Sequence, residues 1–174
     1  LPKFYTGEMF HRLGAVDLFC VTTNSTVTSK NELVMGAGAA RQLVEAFPGI
    51  KAIAYQHLAK DGRDRVYRAL HEYNLCIFEI ESYLIGLFQT KSRYDRYAVY
   101  SIIQNSIDRL AAWCEENPGK TVALNYPGVG KGKIVADKIH PFVMKLPKQV
   151  EVWVDERFLT NYSALIDSEI KRIA

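Results

Sequence analysis

Two glycine-rich stretches carry the residues whose types and spacing speak most directly to chemistry: Val34-Met35-Gly36-Ala37-Gly38-Ala39-Ala40 and Pro127-Gly128-Val129-Gly130-Lys131-Gly132. Each follows an apolar run and precedes a run with helical spacing. That order turns backbone N–H groups and a helix start towards one point, where an anion is stabilised. One such loop is weak evidence, because α/β proteins often use glycine between strand and helix for backbone reasons alone. Two of them, in different halves of the chain, point to one site built from both, and a diphosphate is the natural guest.

Other chemistries have less support. His11, His57, His71 and His140 show no metal-ligand spacing, and neither a Gly-x-Ser-x-Gly elbow nor a lysine-bearing phosphate loop is present. The first loop has Ala37 where a nucleoside triphosphatase would need its Lys-Ser/Thr pair, and it lacks the third glycine of a dinucleotide-binding dehydrogenase. The three cysteines, Cys20, Cys76 and Cys114, lie far apart and are odd in number, which argues against a disulfide framework and a cysteine-rich zinc site. No metal and no cofactor are expected.

A chain of 174 residues is long enough for one domain with a substantial core, and 48% hydrophobic with 24% charged residues is ordinary globular composition. No segment has the apolar length of a membrane span and no leader pattern opens the chain, so a soluble, cytoplasmic protein is expected. The net charge of +3 is mild and dispersed, and charge gives no reason to infer nucleic acid. The densest basic cluster, residues 60–68, alternates with Asp61 and Asp64 and reads as a solvated face. Tyr5, Tyr94, Tyr97 and Tyr100 could stack on bases, but packing is the ordinary use of tyrosine in a domain this size.

The elements that must position the loops follow from the apolar pattern. Residues 16–22 are a short β-branched and aromatic run suited to an interior strand, with a polar loop over 23–32 at its carboxyl end. Ala39, Ala40, Leu43, Val44 and Phe47 recur at helical spacing until Pro48-Gly49, so the first glycine loop caps a helix. Helical spacing also marks residues 50–58 and 63–73, separated by Asp61-Gly62. Residues 75–80 and 83–89 read as two strands around Glu81-Ser82, with Phe78, Ile80, Leu84 and Leu87 in the core.

Ser92 and Asp95 have capping-box spacing, and the apolar stripe Val99, Ile102, Ile103, Ile107, Leu110, Ala111 and Cys114 after them makes the longest helix, ending at Pro118-Gly119. A strand over 121–125 feeds the second glycine loop. A helix is expected over 134–144, kinked or cut short by Pro141, then a strand over 150–154 and a terminal helix over 162–173. Strands alternating with helices imply a sheet between helical layers, with ligands at the carboxyl ends of the strands.

With these motifs in place, most of the chain resembles the macro domain family, which binds ADP-ribose and related molecules. Gly7-Glu8-Met9-Phe10 resembles the family's Gly-Asp-Ile segment, residues 17–24 the strand ending in an asparagine-rich turn, residues 31–40 the first phosphate loop and residues 126–132 the second. The first loop has the Val-Met-Gly-x-Gly form of a bacterial and phage-like branch. The resemblance implies one three-layer α/β/α domain over residues 1–174 with a central mixed sheet. It also implies a partner that is ADP-ribose, or a macromolecule carrying it, with nucleic acid entering only as such a modified substrate. The phage-like form hints at NAD-based conflict between host and virus.

Residue by residue, the resemblance implies that Glu8, where the family has aspartate, accepts the adenine amino group while the Met9 N–H meets a ring nitrogen. Asn24 and Asn31 become candidates for the distal ribose, although Val21 stands where the family pairs a second asparagine with Asn24, and turn formation explains either one as well. Gly36, Ala37, Gly38 and Ala39 would cradle one phosphate, and Gly128, Val129, Gly130, Lys131 and Gly132 the other. Phe158 would stack on adenine or pack in the core.

Gln89-Thr90-Lys91 resembles the segment where a branch that removes ADP-ribose from proteins or DNA places a functional lysine. Lys91 would attack the anomeric carbon, stabilise charge there or position the glycosidic bond. A nucleophilic lysine needs a depressed pKa from burial or neighbouring cations. One subset also has an acid just after the second loop, where this chain has Lys133-Ile134 and no acid before Asp137. Lys91 is equally read as a phosphate contact or a surface residue. Two functions follow: a module that binds ADP-ribose or another NAD-derived ligand, and a hydrolase that removes ADP-ribose, or the phosphate of ADP-ribose-1''-phosphate, with Lys91, Asn24 and Asn31 as catalytic candidates.

Overall fold

Short apolar runs become strands here because both of their faces find a helical layer to pack against. A computed structural model of the protein describes residues 1–59, 72–129, 136–157 and 170–172. Strands β1 (Lys3–Thr6) and β2 (Leu18–Thr23) flank a 3-10 turn at Met9–Arg12. Helices α1 (Gly38–Ala46) and α2 (Ile50–Ala59) follow, then β3 (Leu75–Ile80), β4 (Tyr83–Gln89), α3 (Tyr100–Glu116) and β5 (Val122–Asn125). The remainder is α4 (Ala136–Val143), β6 (Val150–Val154) and β7 (Ile170–Arg172).

The strands form one mixed sheet in the order β3-β4-β2-β5-β6-β1-β7. Only the hairpin β3–β4 is antiparallel among these pairs; β2 is parallel to β4 and β5, and β1 to β6 and β7. Alternation along β2 separates the two cores. Leu18 and Cys20 join Ile103, Ile107 and Leu110 of α3 and Ile139 and Val143 of α4. Phe19 and Val21 join Ala40 and Leu43 of α1 and Ile50, Ala54 and Leu58 of α2. This gives the three-layer α/β/α sandwich with its central mixed sheet.

The hairpin turns at Glu81 and Ser82, both left-handed at φ 50° and 69°, the geometry that matches strand twist in a two-residue connection. Two sequence expectations are corrected. Helix α3 starts at Tyr100 with Val99 at its N-cap and no side-chain cap, not at Ser92. The Asp95 carboxylate is held by Arg93, and the Ser92 carbonyl accepts bonds from Ser25 and Thr26, so tertiary bonds claim this stretch before a helix can. Residues 170–172 are an edge strand beside β1 rather than part of a terminal helix, because β1 offers a ladder that local spacing cannot reveal. Helix α4 continues past Pro141 to Val143. The helix expected over 63–73 falls almost entirely outside the described residues; Tyr73, at its end, is a buried residue ahead of β3.

Close packing sets the sheet's centre. Gly86 of β4 lies opposite Cys20 in register, and a Cβ at Gly86 would sit 2.5 Å from the Cys20 sulfur. The sulfur is buried. Gly86→Ala is therefore expected to lower unfolding stability by about 1–3 kcal/mol through overpacking, and Cys20→Ala in the same chain should restore part of it. Urea denaturation of the single and double variants measures both effects.

Candidate functional site

Because β4, β2, β5, β6 and β1 are mutually parallel, the segments leaving their carboxyl ends share one edge of the sheet. In spatial order these are the Thr90-Lys91 loop, the first glycine loop, the second glycine loop, residues 155–157 and Gly7-Glu8. Four strand intervals separate the first from the last, on the order of 19 Å at ~4.8 Å each. The segments that carry the two glycine loops follow neighbouring strands, β2 and β5.

A reciprocal bond ties the carboxyl ends of these two strands together. The Thr22 N–H donates to Asn125 Oδ1 at 2.9 Å, and Asn125 Nδ2 donates to Thr22 Oγ1 at 2.7 Å. Sequence reasoning did not single out Asn125. Its signal was an amide ending an apolar strand directly before Tyr126-Pro127-Gly128.

The first loop is set by its stem. Asn24 Nδ2 donates to the Val34 carbonyl at 2.9 Å, the Val34 N–H to the Thr26 carbonyl at 2.9 Å, and the Thr26 N–H to Asn24 Oδ1 at 2.8 Å. Asn24 is buried, and both ends of its amide hold this stem. Asn31 stands exposed at the tip of the excursion between the bridged residues Val27 and Leu33, with a left-handed φ of 58° and its N–H on the Thr28 carbonyl. The geometry gives each asparagine a turn-forming task.

Beyond the stem, Ala37 is the N-cap of α1, extended and without a side-chain cap. The helix opens through Gly38 at a φ of 58°. A Cβ on Gly36 or Gly38 would meet nothing within 4 Å. At Gly36 the backbone is not left-handed either, so neither local conformation nor packing among the described residues demands a glycine there.

The second loop begins from a fixed base. The Tyr126 N–H donates to the Trp153 carbonyl at 2.8 Å, and its hydroxyl lies 3.0 Å from His140 Nδ1 on α4. Phe4 packs on both rings. Gly128 is left-handed at φ 83°, and Val129 packs against the adjoining core. Gly130, Lys131 and Gly132 lie outside the described residues, as does Phe158.

At the far side of the edge, Gly7 is left-handed at φ 129° and Glu8 is exposed, its carbonyl accepting the His11 N–H, while the Met9 side chain is buried. On the near side, Lys91 is half-buried and its Nζ donates to the Arg96 carbonyl at 3.2 Å. Gln89, fully buried beneath it, accepts the N–H groups of Tyr73 and Asn74 and donates to the Lys91 carbonyl. The Tyr73 hydroxyl bonds the Asn24 carbonyl and Thr23 Oγ1. Tyr94 and Tyr97 stand 55% and 65% exposed, so packing does not account for them, whereas Tyr5 stacks on Trp153.

Among the described residues no cluster of His, Cys, Asp or Glu could hold a metal, and no helix is long and apolar enough to cross a membrane. The Cys20 and Cys114 thiols are both pushed up by burial, Cys114 to about 11, and neither offers a thiolate.

Asn125→Ala removes the Thr22 bonds at the carboxyl ends of β2 and β5 and should cost about 1–2 kcal/mol of stability. Asn31→Gly, at a left-handed exposed position, should change it by less than about 0.5 kcal/mol. Thermal and urea unfolding of the two variants checks this contrast.

No family model and no curated protein matches the sequence. Solved structures do. The macrodomain of Thermus aquaticus DarG superposes with a TM-score of 0.65 at 21% identity, over 90% of this chain and 98% of that one. Thermosipho africanus DarTG in complex with ADP-ribose gives 0.69 at 18% identity, over 89% of this chain and 42% of that one. The Trypanosoma brucei macrodomain in complex with ADP-ribose gives 0.55 at 8% identity, over 95% of this chain and 68% of that one. At such identities the likeness speaks for architecture, and the chain has the macrodomain fold.

Proposed function

We propose that this chain is a macro domain, one unit over residues 1–174, that binds ADP-ribose or a related NAD-derived ligand, free or attached to a macromolecule. The observation that carries the reading is Gly36: a glycine required by neither backbone nor packing, facing open space beside the uncapped start of α1. A side chain there would screen the N–H groups of α1 from an anion. The neighbouring second loop, on a strand tied to β2 through Asn125, supports a diphosphate spanning both.

In this reading Gly36, Ala37, Gly38 and Ala39 bind one phosphate, and Gly128, Val129, Gly130, Lys131 and Gly132 the other. Glu8 and the Met9 N–H take adenine, with Phe158 stacking on it, and Asn31 faces the distal ribose, while the buried Asn24 holds the stem of the first loop. The order of loops along the edge supports this assignment, with Glu8 at one end and Lys91 at the other. The solved neighbours that carry ADP-ribose in their complexes support the ligand class. The odd number and wide sequence spacing of Cys20, Cys76 and Cys114 support a reducing, cytoplasmic setting.

A second reading makes the chain a hydrolase of ADP-ribose linkages or of ADP-ribose-1''-phosphate. It is favoured by the half-buried Lys91, whose loop leaves β4 next to the first glycine loop.

Calorimetric titration with ADP-ribose tests the first reading. Wild type should bind one equivalent, and Gly36→Val should weaken binding at least tenfold, about 1.4 kcal/mol, while unfolding stability stays unchanged. Equal affinity in Gly36→Val would overturn the site. For the second reading, Lys91→Ala should abolish release of ADP-ribose from a modified substrate while affinity for free ADP-ribose falls less than about tenfold.

A further inference from the structure

One residue joins the first glycine loop to the Lys91 loop through different atoms. The Thr26 backbone belongs to the glycine-loop stem, its carbonyl accepting the Val34 N–H and its N–H donating to Asn24 Oδ1. Its hydroxyl belongs to the other loop. Thr26 Oγ1 donates to the Ser92 carbonyl at 2.8 Å and accepts the Tyr94 N–H at 3.1 Å. Ser25 reinforces the contact, its N–H donating to the same Ser92 carbonyl at 3.0 Å and its hydroxyl at 3.3 Å.

The segment so gripped is a closed excursion. The Thr90 carbonyl accepts the Val99 N–H, the Arg93 carbonyl accepts the Arg96 N–H, and Lys91 Nζ reaches back to the Arg96 carbonyl. Moving Ser92 and Tyr94 therefore moves the frame that holds the Lys91 amine. Moving Val34 moves the entry to Gly36. Both motions meet at Thr26, a nearly buried residue.

We propose that Thr26 is a positioning residue that couples the first glycine loop to Lys91, so that filling the loop with a phosphate fixes the placement of the amine. The proposal deepens, and in its ligand-bound form rests on, the ADP-ribose reading above. By linkage the coupling is reciprocal: whatever orders residues 91–97 also tightens the glycine loop. A bonded element shared by two loops supplies the physical route that such coupling requires.

Thr26→Val keeps the shape and the backbone bonds but deletes the hydroxyl. The Ser92 carbonyl retains its donors from Ser25, so the variant should fold, and Thr26→Ser restores the hydroxyl. The readout is amide exchange at Arg96, whose N–H donates to the Arg93 carbonyl inside the gripped segment and whose carbonyl accepts Lys91 Nζ, so that it reports on the frame around the amine. In the ligand-free protein, Asn24→Ala should speed Arg96 exchange at least about fivefold when Thr26 is present and less than about twofold in Thr26→Val.

Additive effects of the two substitutions would overturn the coupling. With saturating ADP-ribose, Arg96 exchange should slow in wild type and Thr26→Ser but not in Thr26→Val, while Thr26→Val still binds within about threefold. Equal slowing in Thr26→Val would also overturn it. Absence of ADP-ribose binding by wild type at millimolar ligand would sink the ADP-ribose reading instead, and the ligand-free cycle would still decide the coupling.

Discussion

The adjacency of β2 and β5 is the constraint on which the rest of the structure depends. Both are interior strands, buried on both faces, and their parallel pairing sends two glycine loops out of the same edge side by side. The ladder register runs from Leu18–Val122 to Cys20–Leu124, and the Thr22–Asn125 bonds extend it by side chains where the backbones begin to part. Loops on neighbouring strands keep their spacing only if the strands beneath cannot slide. A parallel pair enclosed by helices on both faces meets that condition, because a slip of one residue would exchange the residues of its two cores.

Those two cores explain the cost of the arrangement and how it is met. Placing β2 at the centre buries Leu18, Phe19, Cys20 and Val21 completely or nearly so, a large apolar gain. It also leaves the polar ends of β2 and β4 inside the protein, where unpaired groups are expensive. Gln89, Tyr73, Thr23 and Asn24 answer this with one connected set of bonds: Gln89 caps the chain entering β3, and the Tyr73 hydroxyl bridges Thr23 to the Asn24 carbonyl. The same bonds that satisfy buried groups hold the residues from which the first loop departs. Rigid polar networks under a glycine loop let its small residues remain ordered without side chains of their own.

Much of the architecture was readable from residue pattern. The boundaries of β3, β4 and β6 followed from short β-branched or aromatic runs between turn residues, and α1 and α2 from their spacing around Pro48-Gly49. Errors arose where a distant partner outbid local preference. Ser92 and Asp95 carry a helix-start pattern, yet Ser25 and Thr26, more than sixty residues earlier, take the Ser92 carbonyl. Residues 170–172 became a strand because β1 was there to receive them. The tasks of Asn125 and Thr26 were hidden for the same reason, since each acts through a partner remote in sequence.

Residue type and local order fix the kind of surface the two loops can present: small residues between a strand and a helix, free of long side chains that would screen N–H donors, and a lysine at the end of another strand. These are local properties, which short-range sterics decide. Only the tertiary structure decided that the strands bearing those loops are neighbours, that Lys91 leaves the same edge, and that Asn24 spends its amide on the stem of the first loop. Strand order and long-range hydrogen bonds are chosen by the burial of whole faces, a collective quantity that no local stretch of the chain contains.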